Sequence, residues 1–206
     1  HRAELFKKVT APFLLLRLKT DKSILPDLPE KLEQNEWAEL SPSQAALYKE
    51  TLDKAMNALG AFEATDPQQL FKRSAIVLQL ILALKQICNH PAQYLKNGKT
   101  SPELSGKMEL FLDIAGAVLD TDEKMLIFTQ FVEMGEILRR VITDKLKTQA
   151  LFYHGGESLT ERNAIIEKFQ GDPQSRILIL SLKAGGTGLN LTAASQVIHY
   201  DLWWNP

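Results

Sequence analysis

From Lys124 onward the chain carries four short apolar runs, at residues 125–128, 150–153, 177–180 and 197–200, with helical patterns between the first three. The runs do not alternate with polar residues. Each therefore predicts a strand covered on both faces, the condition met in parallel sheets. Met134, Ile137, Leu138, Val141 and Ile142 recur at helical spacing after the first run, and Leu159, Ile165, Ile166 and Phe169 after the second. The latter helix opens on a capping box, Ser158 with Glu161, and is expected to stop at Gly171. Strand, helix, strand, helix at this spacing predicts an open parallel α/β sheet covered by helices.

The region before Lys124 is of a different kind. Residues 1–40 carry mixed charge and the run Ile24-Leu25-Pro26-Asp27-Leu28-Pro29, whose prolines forbid a continuous helix and predict a connecting strap. Residues 41–105 predict a helical subdomain with the start of a second domain, and residues 106–206 the α/β domain. Ser41 caps the first helix, with Pro42 in its opening turn and Gln44 as capping-box partner. Leu47, Leu52, Ala55, Met56 and Leu59 give its apolar positions. A longer helix opens at Asp66-Pro67, carries Leu70, Ser74, Val77, Leu78, Ile81, Leu84 and Cys88 as its stripe, and stops at Asn89-His90-Pro91. A third centres on Leu110, Ile114 and Val118.

Composition narrows the function classes. The chain is 45% apolar and 24% charged, which suits a globular core and excludes a disordered or collagen-like chain. Fourteen basic residues face 12 acidic ones up to Ser105, and 10 face 13 beyond it, so net charge alone announces no nucleic acid. One cysteine, Cys88, excludes a disulfide framework and suits a reducing compartment. The longest mainly apolar stretch, 75–84, is too short to span a bilayer, and the front shows no secretory signal. The chain starts on His1 and ends on Trp203-Trp204-Asn205-Pro206, and is expected to be part of a longer protein.

In an open parallel sheet, ligands bind beyond the carboxyl ends of the strands. The four exits are Thr129-Gln130, His154-Gly155-Gly156, residues 181–192 and residues 201–206. The third, Ser181-Leu182-Lys183-Ala184-Gly185-Gly186-Thr187-Gly188-Leu189-Asn190-Leu191, places three glycines in four positions after a buried strand. A tight turn at positive φ uses one or two glycines. Three beside a lysine and two hydroxyls point to close approach of backbone N–H groups to phosphate.

Other patterns are set aside. Gly98-Lys99-Thr100 imitates the end of a phosphate loop without the earlier glycine or preceding strand, and reads as a turn. Cys88 and His90 lack a second ligand pair, and Cys88 reads as a buried, inert thiol. His199 reads as core, His154 as either a functional group or a turn cap, and Arg162 as a helix-surface residue pairing with Glu161 or Glu167 rather than as a phosphate contact.

Lys124-Met125-Leu126-Ile127-Phe128-Thr129-Gln130-Phe131, Tyr153-His154-Gly155, the glycine loop and Val197-Ile198-His199-Tyr200-Asp201-Leu202-Trp203-Trp204-Asn205-Pro206 together resemble the second motor lobe of Swi/Snf-family ATPases. These are double-stranded-DNA translocases of helicase superfamily two. Upstream, Phe13-Leu14-Leu15-Leu16-Arg17-Leu18-Lys19 and Asp27-Leu28-Pro29-Glu30-Lys31 look like the strap between the lobes. Gln86-Ile87-Cys88-Asn89-His90-Pro91 and Ser105-Gly106-Lys107 are similar to the family's helical insertion and its return.

The resemblance implies a RecA-like sheet and assigns roles by position. Thr129, Gln130, His154, Gly155, Gly156, Lys183, Gly185 and Gly186 are expected on DNA. Gly186, Thr187, Gly188 and Leu189 are expected towards ATP, and Asn190, Asp201, Trp203 and Trp204 in coupling. ATP with Mg²⁺, double-stranded DNA and the first motor lobe are the implied cofactor and partners, in a bacterial or archaeal cytoplasm near the nucleoid rather than in a nucleus.

Two departures stand out. Where the family has paired arginines in the strap, Leu16 occupies the first position and only Arg17 is basic. The chain also lacks the Walker motifs and the last helicase motif with its arginine fingers, whose loss costs on the order of 10³ in phosphoryl transfer, so it is expected to be inactive alone. The alternatives are an RNA-directed helicase lobe of the same superfamily and a non-catalytic nucleic-acid-binding module.

Overall fold

The computed structural model describes residues 2–10, 31–60, 67–185 and 188–203, in two compact units, His1–Glu36 and Trp37–Pro206. In the first, helix α1 (Arg2–Thr10) leaves Leu5, Phe6 and Val9 exposed. The proposed strap motifs fall largely at residues 11–30, outside the described residues.

The second unit contains a four-stranded parallel sheet of β1 (Met125–Thr129), β2 (Ala150–Tyr153), β3 (Ile177–Ser181) and β4 (Gln196–His199). Its order is β2-β3-β1-β4. Helices α5 (Gly106–Asp120), α6 (Val132–Leu146) and α7 (Leu159–Gly171) accompany it. Side chains of a strand alternate between faces, and the two cores follow that rule. Met125, Ile127, Ile177, Ile179 and Phe152 join Met108, Phe111 and Ala115 of α5 and Met134, Leu138, Val141 and Ile142 of α6. Leu126, Leu178, Leu180 and Tyr153 face the other way, onto Phe169 of α7. The sheet therefore lies between helical layers, and β3 is buried at all five positions.

β4 departs from expectation. It begins one residue earlier than the apolar run and ends at His199, and its burial alternates. Among the described residues it is an edge strand paired only with β1, and Val197 and His199 are exposed. His199 is not core. It stacks on Phe128 with ring centres 5.3 Å apart.

The helical region holds α2 (Pro42–Gly60) and α3 (Pro67–Asn89), packed together, followed by the short α4 (Pro91–Leu95). The expected capping box at α2 is present: Ser41 N–H donates to Gln44 Oε1 at 3.0 Å, and Gln44 N–H to Ser41 Oγ at 3.2 Å. Ser158 and Glu161 form the second. The stripe expected on α3 is exposed at Leu70, Ser74, Val77 and Leu78 and only half-buried at Ile81, Leu84 and Cys88, while the fully buried residue near the helix end is Ile87, which lies off that stripe. α3 packs along α2, and its last turn is tied to the sheet through Asn89, so the outward positions of its first half stay exposed. On α5 the buried face is Met108, Phe111 and Ala115, rotated from Leu110, Ile114 and Val118, which are half-buried. α7 runs through Gly171, and Asp172 closes it by accepting from Gln174 N–H and Ser175 Oγ.

At the start of α5 a Cβ on Gly106 would sit on the backbone carbonyl of Glu39, far inside van der Waals contact. The glycine admits the extended segment before α2 at this point.

Candidate nucleic-acid interface

β1 and β4 are neighbours in parallel register, Phe128 opposite His199, so their exits lie side by side. Asp201 takes advantage of that placement. Its Oδ2 accepts from Thr129 Oγ1 at 2.6 Å, and its Oδ1 accepts from Gln130 N–H at 2.7 Å. Thr129 is fully buried and Asp201 is 6% exposed. Thr129 and Gln130, expected on DNA, and Asp201, expected in coupling, are joined by one carboxylate that fixes the course of the chain leaving β1. The threonine hydroxyl is directed inward, not at a surface.

A further set of polar groups lies behind that carboxylate. Asn89, 1% exposed at the end of α3, donates from Nδ2 to Asp201 Oδ2 at 3.0 Å. Its Oδ1 accepts from Lys107 Nζ at 3.1 Å, and its backbone oxygen accepts from Ser105 Oγ at 2.7 Å and Tyr200 OH at 3.0 Å. Gln44 adds a tie: its Nε2 donates to the Ile87 carbonyl at 2.8 Å while its Oε1 takes the capping bond. Burial pushes the Lys107 ammonium below the usual lysine range, opposed by the Asp201 carboxylate, and burial pushes the Tyr200 phenol up. Asn89, Lys107 and Tyr200 have no site role in the sequence reading, and Gln44 only that of a capping-box partner. The signal for Asn89 and Lys107 was present in the blocks Gln86–Pro91 and Ser105–Lys107, which align with a family pattern without revealing that the two blocks touch.

The next residue completes the helix junction. His90 is buried and caps α4, accepting Ala92 N–H on Nδ1 at 3.1 Å while Nε2 lies 3.0 Å from the Ser101 carbonyl. That arrangement assigns the proton to Nε2. Burial lowers its pKa. Cys88 is half-buried, and burial raises its thiol pKa. Gly98 sits in a turn at φ 69°, with Lys99 N–H donating to Asn97 Oδ1 at 3.1 Å.

At the β2 exit, His154 caps its own turn. Its Nδ1 accepts Gly156 N–H at 3.1 Å, and its Nε2 stands 3.7 Å from Glu157 Oε1. Gly155 and Gly156 are exposed. Arg162 does not pair with Glu161 or Glu167. Its Nη2 donates to the Gly155 carbonyl at 3.0 Å, and its guanidinium lies 5.8 Å from the Tyr153 ring centre.

The β3 exit turns at once into the short α8 (Leu182–Gly185). Lys183 is exposed. A Cβ on Gly185 would come within 3.3 Å of Leu180 and Phe128, and Gly188 has φ 78°. Two of the three glycines thus also have packing or backbone reasons. Gly186 and Thr187 lie outside the described residues. Leu189 packs on the α7-side core, and Gln170 of α7 pins the loop beyond it, donating to the Asn190 carbonyl at 2.7 Å and accepting Ala193 N–H at 2.9 Å.

At the β4 exit the Leu202 carbonyl accepts from Lys85 Nζ at 3.0 Å, and Trp203 is 47% exposed. Trp204 lies outside the described residues. Among the described residues there is no group of three His, Cys, Asp or Glu side chains suited to a metal ion.

Two families match the sequence. The SNF2-related domain matches residues 1–93, and the helicase conserved C-terminal domain matches residues 106–206. A putative ATP-dependent helicase/translocase, YwqA of Bacillus subtilis, is 43% identical over 97% of this chain and 21% of its own length. The solved SWI2/SNF2 ATPase C-terminal domain of Sulfolobus solfataricus is 43% identical with a TM-score of 0.76, over 85% of this chain and 74% of that one. The Sulfolobus solfataricus SWI2/SNF2 ATPase core in complex with dsDNA matches with a TM-score of 0.77 at 42% identity, over 98% of this chain and 42% of that one. The chain spans about a fifth of the length of the curated relatives it matches.

Proposed function

The chain belongs to the SWI2/SNF2 ATPases, in the part that forms their C-terminal domain, and on that premise we propose that the longer protein is an ATP-driven translocase on duplex DNA. The observation that carries this reading is the convergence at one end of the parallel sheet: a lysine-bearing glycine loop, two exposed glycines and the Thr129-Gln130 turn all leave the strands there. The relative solved with dsDNA shares this fold over nearly the whole chain.

In this proposal the lobe contacts the sugar-phosphate backbone and forms one wall of the ATP cleft, the first motor lobe forming the other. Lys183, Gly185, Gly186, Gly155 and Gly156 face phosphate, with glycine backbone N–H groups and the Lys183 ammonium as donors. Gln130 presents its backbone course to the same groove, while Thr129 and His154 support it from within. Gly186, Thr187, Gly188 and Leu189 lie towards the nucleotide. Asn190, Asp201, Trp203 and Trp204 link the two surfaces. Closure on ATP and opening after hydrolysis move the lobe along one strand. Backbone contacts carry little base information, so weak sequence preference and steep salt dependence follow. Mg²⁺ accompanies ATP and neutralises charge on its phosphates.

The relatives that match include bacterial proteins, and the proposed setting is the cytoplasm beside the nucleoid. Among the described residues no helix is long and apolar enough to cross a membrane. The test is ATP hydrolysis by the longer protein alone and with duplex DNA, single-stranded DNA or RNA, with the 206-residue chain as blank. Stimulation by duplex DNA with an inactive blank supports the proposal. Stimulation by RNA instead assigns the chain to RNA-directed helicases, and no hydrolysis under any condition assigns it to non-catalytic binding modules.

A further inference from the structure

The buried groups behind Asp201 straddle the seam between the two family matches. Asn89 and Gln44 belong to the SNF2-related segment, which ends at residue 93, whereas Lys107, Thr129 and Asp201 belong to the helicase segment, which begins at residue 106. The side chain that spans the seam is an amide, and an amide has a direction. Asn89 points Oδ1 at the Lys107 ammonium, 3.1 Å away, and Nδ2 at the Asp201 carboxylate, 3.0 Å away. Reversing it sets an NH₂ against an ammonium and an oxygen against a carboxylate. Lys107 also lies 5.5 Å from the Tyr200 ring centre, which holds its stem in place, and the residue is only partly accessible.

We propose that Lys107 is a positioning residue for the ATP-driven cycle: it sets the direction of the Asn89 amide, which holds Asp201, and Asp201 holds Thr129 and Gln130 at the β1 exit. The lock registers the end of α3 against the sheet, so a displacement of the helical arm reaches the loop that leaves β1 and the tryptophan segment that follows Asp201. Lys85 of α3, donating to the Leu202 carbonyl, is a second tie on the same path. This inference rests on the translocase reading above.

The arrangement makes a specific double-substitution prediction. In Asp201→Asn, the new amide must offer its oxygen to Gln130 N–H, leaving its NH₂ towards Thr129 Oγ1 and Asn89. The threonine hydroxyl can rotate to accept, but Asn89 can accept only by reversing, which turns its own NH₂ onto Lys107. Every orientation leaves two donors facing one another. Replacing Lys107 with methionine removes that conflict, so Lys107→Met is expected to repair Asp201→Asn.

The experiment uses the longer protein, first unsubstituted and then with Lys107→Met, Asp201→Asn and both, with inorganic phosphate release and hydrogen exchange as readouts. Lys107→Met is expected to lower duplex-stimulated turnover about tenfold, the worth of one buried charge-assisted hydrogen bond, with basal hydrolysis and KM for ATP unchanged. Exchange at the Gln130 amide should accelerate in the same variant. The double variant should turn over faster than Asp201→Asn alone.

Stimulation in Lys107→Met equal to that of the unsubstituted protein overturns the positioning role. So does a double variant no faster than Asp201→Asn, and so does an equal fall in basal and stimulated rates, which marks general destabilisation. An unsubstituted protein indifferent to duplex DNA contradicts the proposed function itself. That failure is recognised before any substitution is made.

Discussion

Replacing Asp201 with alanine removes the acceptor of three buried donors at once: the Thr129 hydroxyl, the Gln130 N–H and the Asn89 amide. A hydrogen bond to a charged group contributes about 1.5–3 kcal/mol, so the three together represent about 4.5–9 kcal/mol of gross interaction. Relief of the carboxylate from its buried site returns several kcal/mol of that. Lys107 meanwhile loses the carboxylate that favours its charged form, and Thr129 is too deep for water to replace the missing acceptor easily. The net loss is therefore about 3–5 kcal/mol, the range expected when one partner is removed from a buried charged network. Guanidinium unfolding followed by circular dichroism measures it, and hydrogen exchange at Gln130 locates it. A loss below about 1 kcal/mol, with Gln130 exchange unchanged, would refute the assignment of this carboxylate as the clamp of the β1 and β4 exits.

Three further outcomes are expected. Gly106→Ala drives a methyl group into the Glu39 carbonyl, and because the obstacle is backbone it should destabilise by at least about 2 kcal/mol, read from the unfolding midpoint. Ser158→Ala deletes the side-chain half of a capping box at the start of α7 and should cost about 1 kcal/mol in the same measurement. The third concerns pH. His90 has a folded pKa depressed by burial, so the unfolded chain takes up its proton first as pH falls. Stability is full above the unfolded imidazole value and declines as pH drops below it towards the folded value. Protonation at Nδ1 also breaks the bond from Ala92 N–H. Melting temperature against pH should show that decline, and His90→Asn, which retains a capping oxygen without a titrating ring, should flatten it.

What could be read from the sequence was what local rules decide. Both capping boxes lie within four residues and depend on nothing distant, and both formed. The run at residues 177–180 became the most enclosed strand because an unbroken apolar segment has no polar face to present. His199 was misread for the complementary reason. Whether a strand is central or at the edge depends on crossover order, and nothing in Val197-Ile198-His199 encodes that β4 pairs only with β1. The buried face of α3 has the same origin: it is set by packing on α2 and by the tie at Asn89, which bury Ile87 rather than Cys88.

The candidate site divides similarly. The strand exits and their glycines were visible as sequence. The carboxylate that joins Thr129 to Asp201 across 72 positions, and the amide that joins Asn89 to Asp201 across 112, were not. Polar residues that pair over such separations look individually like a helix stop or a turn.

The central claim is that the carboxyl ends of the strands face duplex DNA. Hydrogen exchange of the longer protein with and without a duplex, at low and at high salt, addresses it most directly. The account predicts protection of the segments at residues 154–157 and 182–188 at low salt, lost at high salt, while the α2–α3 helices exchange as before. Protection confined to those helices, or none at the strand exits while DNA is demonstrably bound, contradicts it.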